Sequence, residues 1–87
     1  MKTFDDLVFK THPIGGGAVQ AKLDLGNDIL VSVIGGEGLY GDGKTTFEVG
    51  AFYKTLGKFV PMSDGENTSG WNTKEKVTKI INYLENL

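Results

Sequence analysis

The chain has 87 residues and a formal net charge of −2, from 11 acidic residues and nine lysines, with no arginine and no cysteine. This length predicts a single domain, residues 1–87, with a modest core and little room for a buried active site. Without cysteine there is no disulfide, thiolate metal site or cysteine nucleophile. Arginine is the usual bidentate reader of phosphate, so its absence and the mild acidity argue against nucleic acid as the main partner.

The sequence contains no run of about 18 apolar residues, so we expect no membrane partner. The opening stretch MKTFDDLVF carries acidic residues where a signal peptide has its apolar segment. A cysteine-free composition suits a reducing compartment. We therefore expect a cytoplasmic protein.

The first elements in the chain are short. Thr3 is placed to cap a helical turn, with Asp6 at the position that completes a capping box. Residues 7–12 (LVFKTH) are typical of a strand, which Pro13 ends or places at a sheet edge. Three glycines, residues 15–17, form a flexible link to the next strand.

The clearest pattern in the chain lies between residues 18 and 34. AVQAKLDL alternates apolar and polar residues, which predicts a strand with one buried face. ILVSVI is almost entirely apolar, which is typical of a central strand. The intervening residues Gly26, Asn27 and Asp28 predict a tight turn, and the whole stretch predicts a β-hairpin.

A glycine-rich loop, residues 35–44, follows, and residues 45–53 (TTFEVGAFY) alternate as a strand. In that strand Phe47 and Val49 share one face, Phe52 lies on the other, and Gly50 is a candidate β-bulge. Residues 59–62 (FVPM) predict a short edge strand because of Pro61. Residues 63–70 (SDGENTSG) are typical of a polar loop.

The C-terminal segment predicts an amphipathic helix. Asn72 is the expected N-cap, with Glu75 three residues later. The apolar residues recur with helical spacing, namely Val77, Ile80, Ile81, Leu84 and Leu87. We therefore predict an α+β fold, an antiparallel β-meander of four to five strands with one C-terminal amphipathic helix packed on one face.

One motif suggests nucleotide chemistry. Residues 38–45, GLYGDGKT, match the phosphate-binding pattern G-x-x-x-x-G-K-[ST] at every fixed position. In that interpretation Lys44 reaches the phosphates and Thr45 binds Mg²⁺. Such a loop opens a helix, however, whereas the residues after Thr45 alternate as a strand. We interpret the match as coincidental and keep a nucleotide binder as a minor alternative.

Other candidate groups favour structural roles. His12 is the single histidine, so a histidine–cysteine zinc site is excluded and a strand-end role is favoured. Asp5 and Asp6 are better explained as helix-start residues than as paired catalytic carboxylates. Asp64 and Glu66 miss the spacing of a calcium loop. We predict no catalytic residue, no metal and no cofactor.

The exposed aromatic residues are the remaining indication of function. Tyr40 and Trp71 lie in or beside polar, glycine-rich stretches, and exposed Tyr and Trp commonly anchor protein interfaces. The alternative for Trp71 is that it staples the helix to the sheet. Phe52 needs cover from a homodimer contact, a partner or the edge of the core.

Several short motifs together resemble small uncharacterised proteins of tailed bacteriophages. These proteins share a similar opening, a glycine-rich link, a VQA strand, a Tyr-Gly loop and a helix introduced by Gly-aromatic-x-Thr. The loop at residues 35–44 departs from that pattern because it is richer in glycine. The matching segments here are residues 4–10, 12–13, 17–21, 32–33, 40–42 and 70–73.

The resemblance implies a protein of the bacterial cytoplasm, delivered by a phage or prophage, and implies no catalytic residues. By analogy of class with anti-CRISPR and other anti-defence proteins, we expect a non-enzymatic protein that binds a host or defence protein and inhibits or redirects it. A virion or assembly protein that self-associates is the alternative. The expected partner-binding residues are Glu37, Tyr40, Asp42, Lys44 and Trp71.

Overall fold

The computed structural model describes residues 2–13, 15–62 and 68–87. In this described part, five strands form one antiparallel sheet in the order β1-β2-β3-β4-β5, and one helix follows the last strand. The elements are a 3-10 turn at Phe4–Asp6, β1 at Lys10–Thr11, β2 at Val19–Asp24, β3 at Ile29–Gly35, β4 at Thr46–Tyr53, β5 at Thr68–Thr73 and α1 at Lys74–Glu85. The predicted α+β meander with a C-terminal helix is confirmed. The described residues include no helix with the length and apolar character needed to span a bilayer.

The predicted central hairpin is confirmed as β2 and β3, which pair from Val19 opposite Gly35 to Asp24 opposite Leu30. At its turn, Gly26 and Asp28 have positive φ angles of 82° and 70°. Glycine tolerates this region at no steric cost, and aspartate is among the few other residues that enter it readily. The apolar residues of β3 then alternate between the two faces of the sheet.

The core lies between the inner face of the sheet and α1. Val31, Val33 and Val49 of the sheet are completely buried, as are Val77 and Ile81 of the helix. Full burial of such a side chain contributes roughly 1.5–3 kcal/mol, so the helical stripe predicted from the sequence is a main source of stability. Its predicted last member does not belong to it, because Leu87 lies beyond the end of α1 and is 56% exposed.

The N-terminal segment closes the core at one end. The predicted capping box is present, with the Thr3 side chain accepting from Asp5 N and the Asp6 carboxylate accepting from Thr3 N at 2.7 Å. The Phe4 ring lies 5.1 Å from the Phe47 ring, centroid to centroid. Phe4 N also donates to Thr78 Oγ1 at 3.0 Å, which joins this turn to α1.

Two predicted strands are shorter in the structure. Of residues 7–12, only Lys10–Thr11 pair with β2. In the segment at residues 59–62, a single bridge joins Phe59 to Phe52, while Val60 and Met62 are buried. The prediction was wrong there because this segment places Val60 and Met62 in the core without forming a ladder.

The irregularity in β4 also differs from the prediction. Gly50 pairs regularly with Ser32 and Thr68 and is not a bulge. The register between β4 and β5 shifts instead between Phe47 and Val49. A Cβ at position 50 would make only ordinary van der Waals contact with the Phe59 ring, at 3.8 Å.

The start of the helix and the strand before it correct two further predictions. Residues 68–70 belong to β5, although they were predicted as part of a polar loop, and the rest of that loop, residues 63–67, lies outside the described residues. The N-cap of α1 is Thr73, whose side chain accepts from Lys76 N at 3.2 Å. Asn72, the predicted cap, is 1% exposed and points into the core.

Candidate partner-binding surface

The loop between β3 and β4 is organised by one carboxylate. Asp42 Oδ1 accepts hydrogen bonds from Lys44 N and Thr45 N, both at 2.8 Å, and from Thr46 N at 2.9 Å. Its other oxygen accepts from Thr45 Oγ1 at 2.8 Å. These donors, Thr46 N foremost, favour the charged form and hold the pKa of Asp42 well below its ordinary value of 3.8.

This geometry bears on the phosphate-binding motif at residues 38–45. In a phosphate-binding loop, free backbone N–H groups face the ligand and a helix follows. Here the N–H groups of Lys44 and Thr45 are already bonded to Asp42, and strand β4 follows at Thr46. The chain thus supplies its own anion where the motif would bind phosphate.

The loop also folds tightly against the end of the sheet. A Cβ on Gly35 would lie 2.4 Å from Gly43 Cα, so only glycine permits this approach. Gly36 N donates to Gly41 O at 2.9 Å, and Tyr40 N donates to Glu48 Oε1 at 3.3 Å. The loop is therefore tied to itself and to β4.

Strand β5 contains a turn closed by a buried side chain. Asn72 Nδ2 donates to Ser69 O at 2.8 Å and to Phe47 O at 3.3 Å. Ser69 Oγ donates to Asn72 Oδ1 at 3.2 Å. These bonds close the chain over Gly70 and Trp71 and direct them away from the core.

Trp71 has a rare backbone conformation and an exposed side chain. Its φ angle is 56°, in the left-handed region, and 62% of the residue is exposed. For a bulky residue this conformation costs roughly 1–2 kcal/mol. Trp71 N donates to Tyr40 O at 2.7 Å, which joins β5 to the loop. The exposure rules against the alternative that Trp71 staples the helix to the sheet.

Tyr40 lies beside Trp71 and is also exposed, at 64%. A Cβ on Gly70 would be only 2.7 Å from Tyr40 Cβ, so the loop and β5 are in close contact. Among the described aromatic rings, the close ring contacts are all between phenylalanines, and neither Tyr40 nor Trp71 takes part. Both rings are open to a partner.

The fold gathers all five predicted partner-binding residues at this end of the sheet. An open depression of about 470 Å³ is lined by Glu37, Asp42, Lys44 and Trp71, together with Leu39 and loop glycines. Tyr40 adjoins it through its bond to Trp71 N. We call Glu37, Tyr40, Asp42, Lys44 and Trp71 together the Trp71 surface.

Sequence reasoning missed two residues that shape this surface. Asn72 was predicted as a helix cap because Asn and Thr are both favoured there, and only the buried acceptors distinguish them. Glu48 gives no sequence signal at all, since its role depends on Tyr40 N lying over β4. Both residues act through contacts that are distant in the chain.

The other candidates remain outside this surface. His12 lies at the end of β1, where its N–H donates to Ala18 O at 2.9 Å. Asp5 and Asp6 belong to the 3-10 turn. Asp64 and Glu66 lie outside the described residues, and within the described ones no three His, Cys, Asp or Glu side chains group to hold a metal.

Phe52 finds cover within its own chain. It lies on the outer face of the sheet, where the Phe59 ring is 4.8 Å away, centroid to centroid. The need for a homodimer contact at Phe52 is therefore reduced, although Phe59 itself stays 44% exposed.

Comparison with known proteins found no matching family model, no matching curated protein and no matching solved structure. The resemblance to small bacteriophage proteins thus stays a prediction.

Proposed function

We propose that this chain is a non-enzymatic binding protein that attaches to another protein through the Trp71 surface. The observation that carries the proposal is the exposed, left-handed Trp71, held outward by Asn72 and by the bond to Tyr40 O. The left-handed backbone of Trp71 costs stability, and such strain is concentrated at functional sites. Trp and Tyr are also the residues that most often dominate the binding energy of protein interfaces.

The partner class in this proposal comes from the phage resemblance. A small phage-derived protein in the bacterial cytoplasm acts on host or defence proteins, and binding alone suffices to block or redirect them. An anti-CRISPR type inhibitor is one example of this class. The Asp42 carboxylate supports a binding role over nucleotide chemistry, because it already accepts hydrogen bonds from the N–H groups that would hold a phosphate.

The test is affinity capture from nuclease-treated bacterial lysate with the wild-type protein and three variants. We expect a stoichiometric partner to be captured by wild type and by Leu56→Ala, and to be lost with Tyr40→Ala and Trp71→Ala. Leu56 is the matched control because it is as exposed as Tyr40, at 65%, but follows the opposite end of β4.

Two outcomes would overturn the proposal. Equal capture by all four proteins would place the interface elsewhere. Capture of nothing, combined with concentration-dependent growth in light scattering, would favour the self-assembling alternative.

A further inference from the structure

Acidic residues outnumber lysines between residues 35 and 48, the stretch that contains four of the five residues of the Trp71 surface. Glu37, Asp42 and Glu48 contribute three negative charges there, and Lys44 contributes one positive charge, for a net of −2. This local excess of negative charge makes the Trp71 surface attractive to a cation.

Two groups at this end are free to receive that cation. The Glu37 side chain is exposed and makes no hydrogen bond or ion pair with the described residues. The indole of Trp71 has no lysine over it, since the cation–ring contact found among the described residues joins Lys74 to Phe4. A carboxylate and an open aromatic face therefore border the same depression.

We propose that the Trp71 surface binds a cationic, arginine-bearing segment of the partner protein, with a guanidinium stacked on Trp71 and paired with Glu37. The inference rests on the function proposed above and names the chemistry of the partner. Arginine fits better than lysine because its planar guanidinium stacks on an indole while it donates two parallel hydrogen bonds to a carboxylate.

The composition of the chain separates this partner from two others. A second copy cannot supply the guanidinium because the chain has no arginine. A nucleic acid would bring its phosphates against a surface of net negative charge. A basic protein segment both complements the negative charge of the surface and supplies a cation to the face of the indole.

Trp71 is the single tryptophan of the chain, so its fluorescence reports binding at this site without a label. We would titrate the protein with hexa-arginine and with hexalysine, both free of aromatic residues, at low salt and at about 0.15 M salt. We expect a saturable change in Trp71 emission. Hexa-arginine should bind about two- to fivefold more tightly than hexalysine, the difference that a surface cation–ring contact provides.

The charge is tested with two variants that each remove one negative charge. Glu37→Gln should weaken hexa-arginine binding about two- to fivefold. At about 0.15 M salt, Asp24→Asn should change it less than about twofold, because Asp24 lies at the other end of the β2–β3 hairpin, about 20 Å away and beyond the screening length.

Three results would overturn the inference: no saturable change in emission, equal affinity for the two peptides, or equal effects of the two variants. If one of these occurs while lysate capture still depends on Tyr40 and Trp71, the binding function stands and only the cationic partner is wrong. If lysate capture no longer depends on Tyr40 and Trp71 either, the proposed binding function is also contradicted.

Discussion

Large apolar side chains are buried on the helix-covered face of the sheet but exposed at the Trp71 surface. On the covered face, Val31, Val49 and Ile81 are completely buried. At the Trp71 surface, Tyr40 and Trp71 are 64% and 62% exposed, although both are tied to the fold through their backbones. The first region gains stability by removing side chains from water, whereas the second holds side chains in water at a cost in backbone strain.

The largest expected effect belongs to the covered face. Ile81→Ala should lower the free energy of unfolding by about 3–4 kcal/mol, because it leaves a cavity between α1 and the sheet. Urea denaturation followed by far-UV circular dichroism measures this loss. Leu87→Ala, at an exposed residue beyond the end of α1, should change stability by less than about 0.5 kcal/mol. Equal losses would contradict the packing described for α1.

The second largest expected effect concerns Asn72, which is buried in the core and adjoins Trp71. Asn72→Leu should lower the free energy of unfolding by about 2 kcal/mol, because the buried carbonyl of Phe47 and the partly buried carbonyl of Ser69 lose their donor. The emission of Trp71 should shift as well, since the turn that directs it outward opens. Ser69→Ala removes one weaker bond and should cost less than about 1 kcal/mol. A variant at Asn72 with native stability and native emission would show that this side chain does not hold the turn.

A third prediction separates binding from folding. Tyr40→Ala should reduce affinity for the captured partner about 30-fold, or about 2 kcal/mol, if Tyr40 is a hot spot. Its unfolding should be close to that of wild type because the side chain is exposed. Isothermal titration calorimetry gives the affinity, and an unchanged value with an intact fold would exclude Tyr40 from the interface.

The fourth prediction measures the strain at Trp71. Trp71→Gly should be about 1 kcal/mol more stable than Trp71→Ala, because glycine accepts a φ of 56° and alanine does not. The two variants lose the same indole, so their difference isolates the backbone. Thermal or urea unfolding followed by circular dichroism measures the difference in stability between the two variants. A glycine variant less stable than the alanine variant would contradict backbone strain at Trp71.

The smallest effect concerns the loop and pH. The pKa of Asp42 is lowered in the folded protein, so its stabilising hydrogen bonds are present above the ordinary pKa of 3.8 and are lost only as pH falls through the lower folded pKa. The amide signals of Lys44, Thr45 and Thr46 in NMR should therefore stay unchanged from neutral pH to below pH 4. In Asp42→Asn they should differ from wild type at neutral pH and show no such acid transition. A transition centred near the ordinary pKa in wild type would contradict the hydrogen bonds described for this carboxylate.

Strong periodicity allowed most of the architecture to be predicted. The hairpin of β2 and β3 and the apolar stripe of α1 follow from residue spacing alone, because a buried face imposes a period of two or 3.6. Strand β5 was missed because TSGWNT is polar and does not alternate, and its pairing with β4 compensates for a weak local preference. The short segment at residues 59–62 shows the reverse case, because its apolar pattern predicts a strand but it buries two side chains and forms one bridge.

The residues of the Trp71 surface were identifiable by type but not by arrangement. Exposed aromatic residues in glycine-rich stretches pointed to Tyr40 and Trp71, and their charged neighbours followed from position in the loop. The loop and β5 are about 30 residues apart in the chain, so their contact depends on the order of the strands. No local pattern indicated that Asp42 fills its own loop or that Asn72 leaves the cap position to Thr73.

The sequence by itself determined the class of fold, the hairpin and the helix, because short-range periodicity is a property of the chain. Its composition, without arginine or cysteine, was likewise known from the sequence. The tertiary structure decided which of two adjacent polar residues caps α1, where the register of β5 shifts, and that Trp71 faces solvent in a left-handed conformation. These features arise from hydrogen bonds and packing between distant segments. Their energies are comparable to the local preferences they override, so only the assembled fold selects among them.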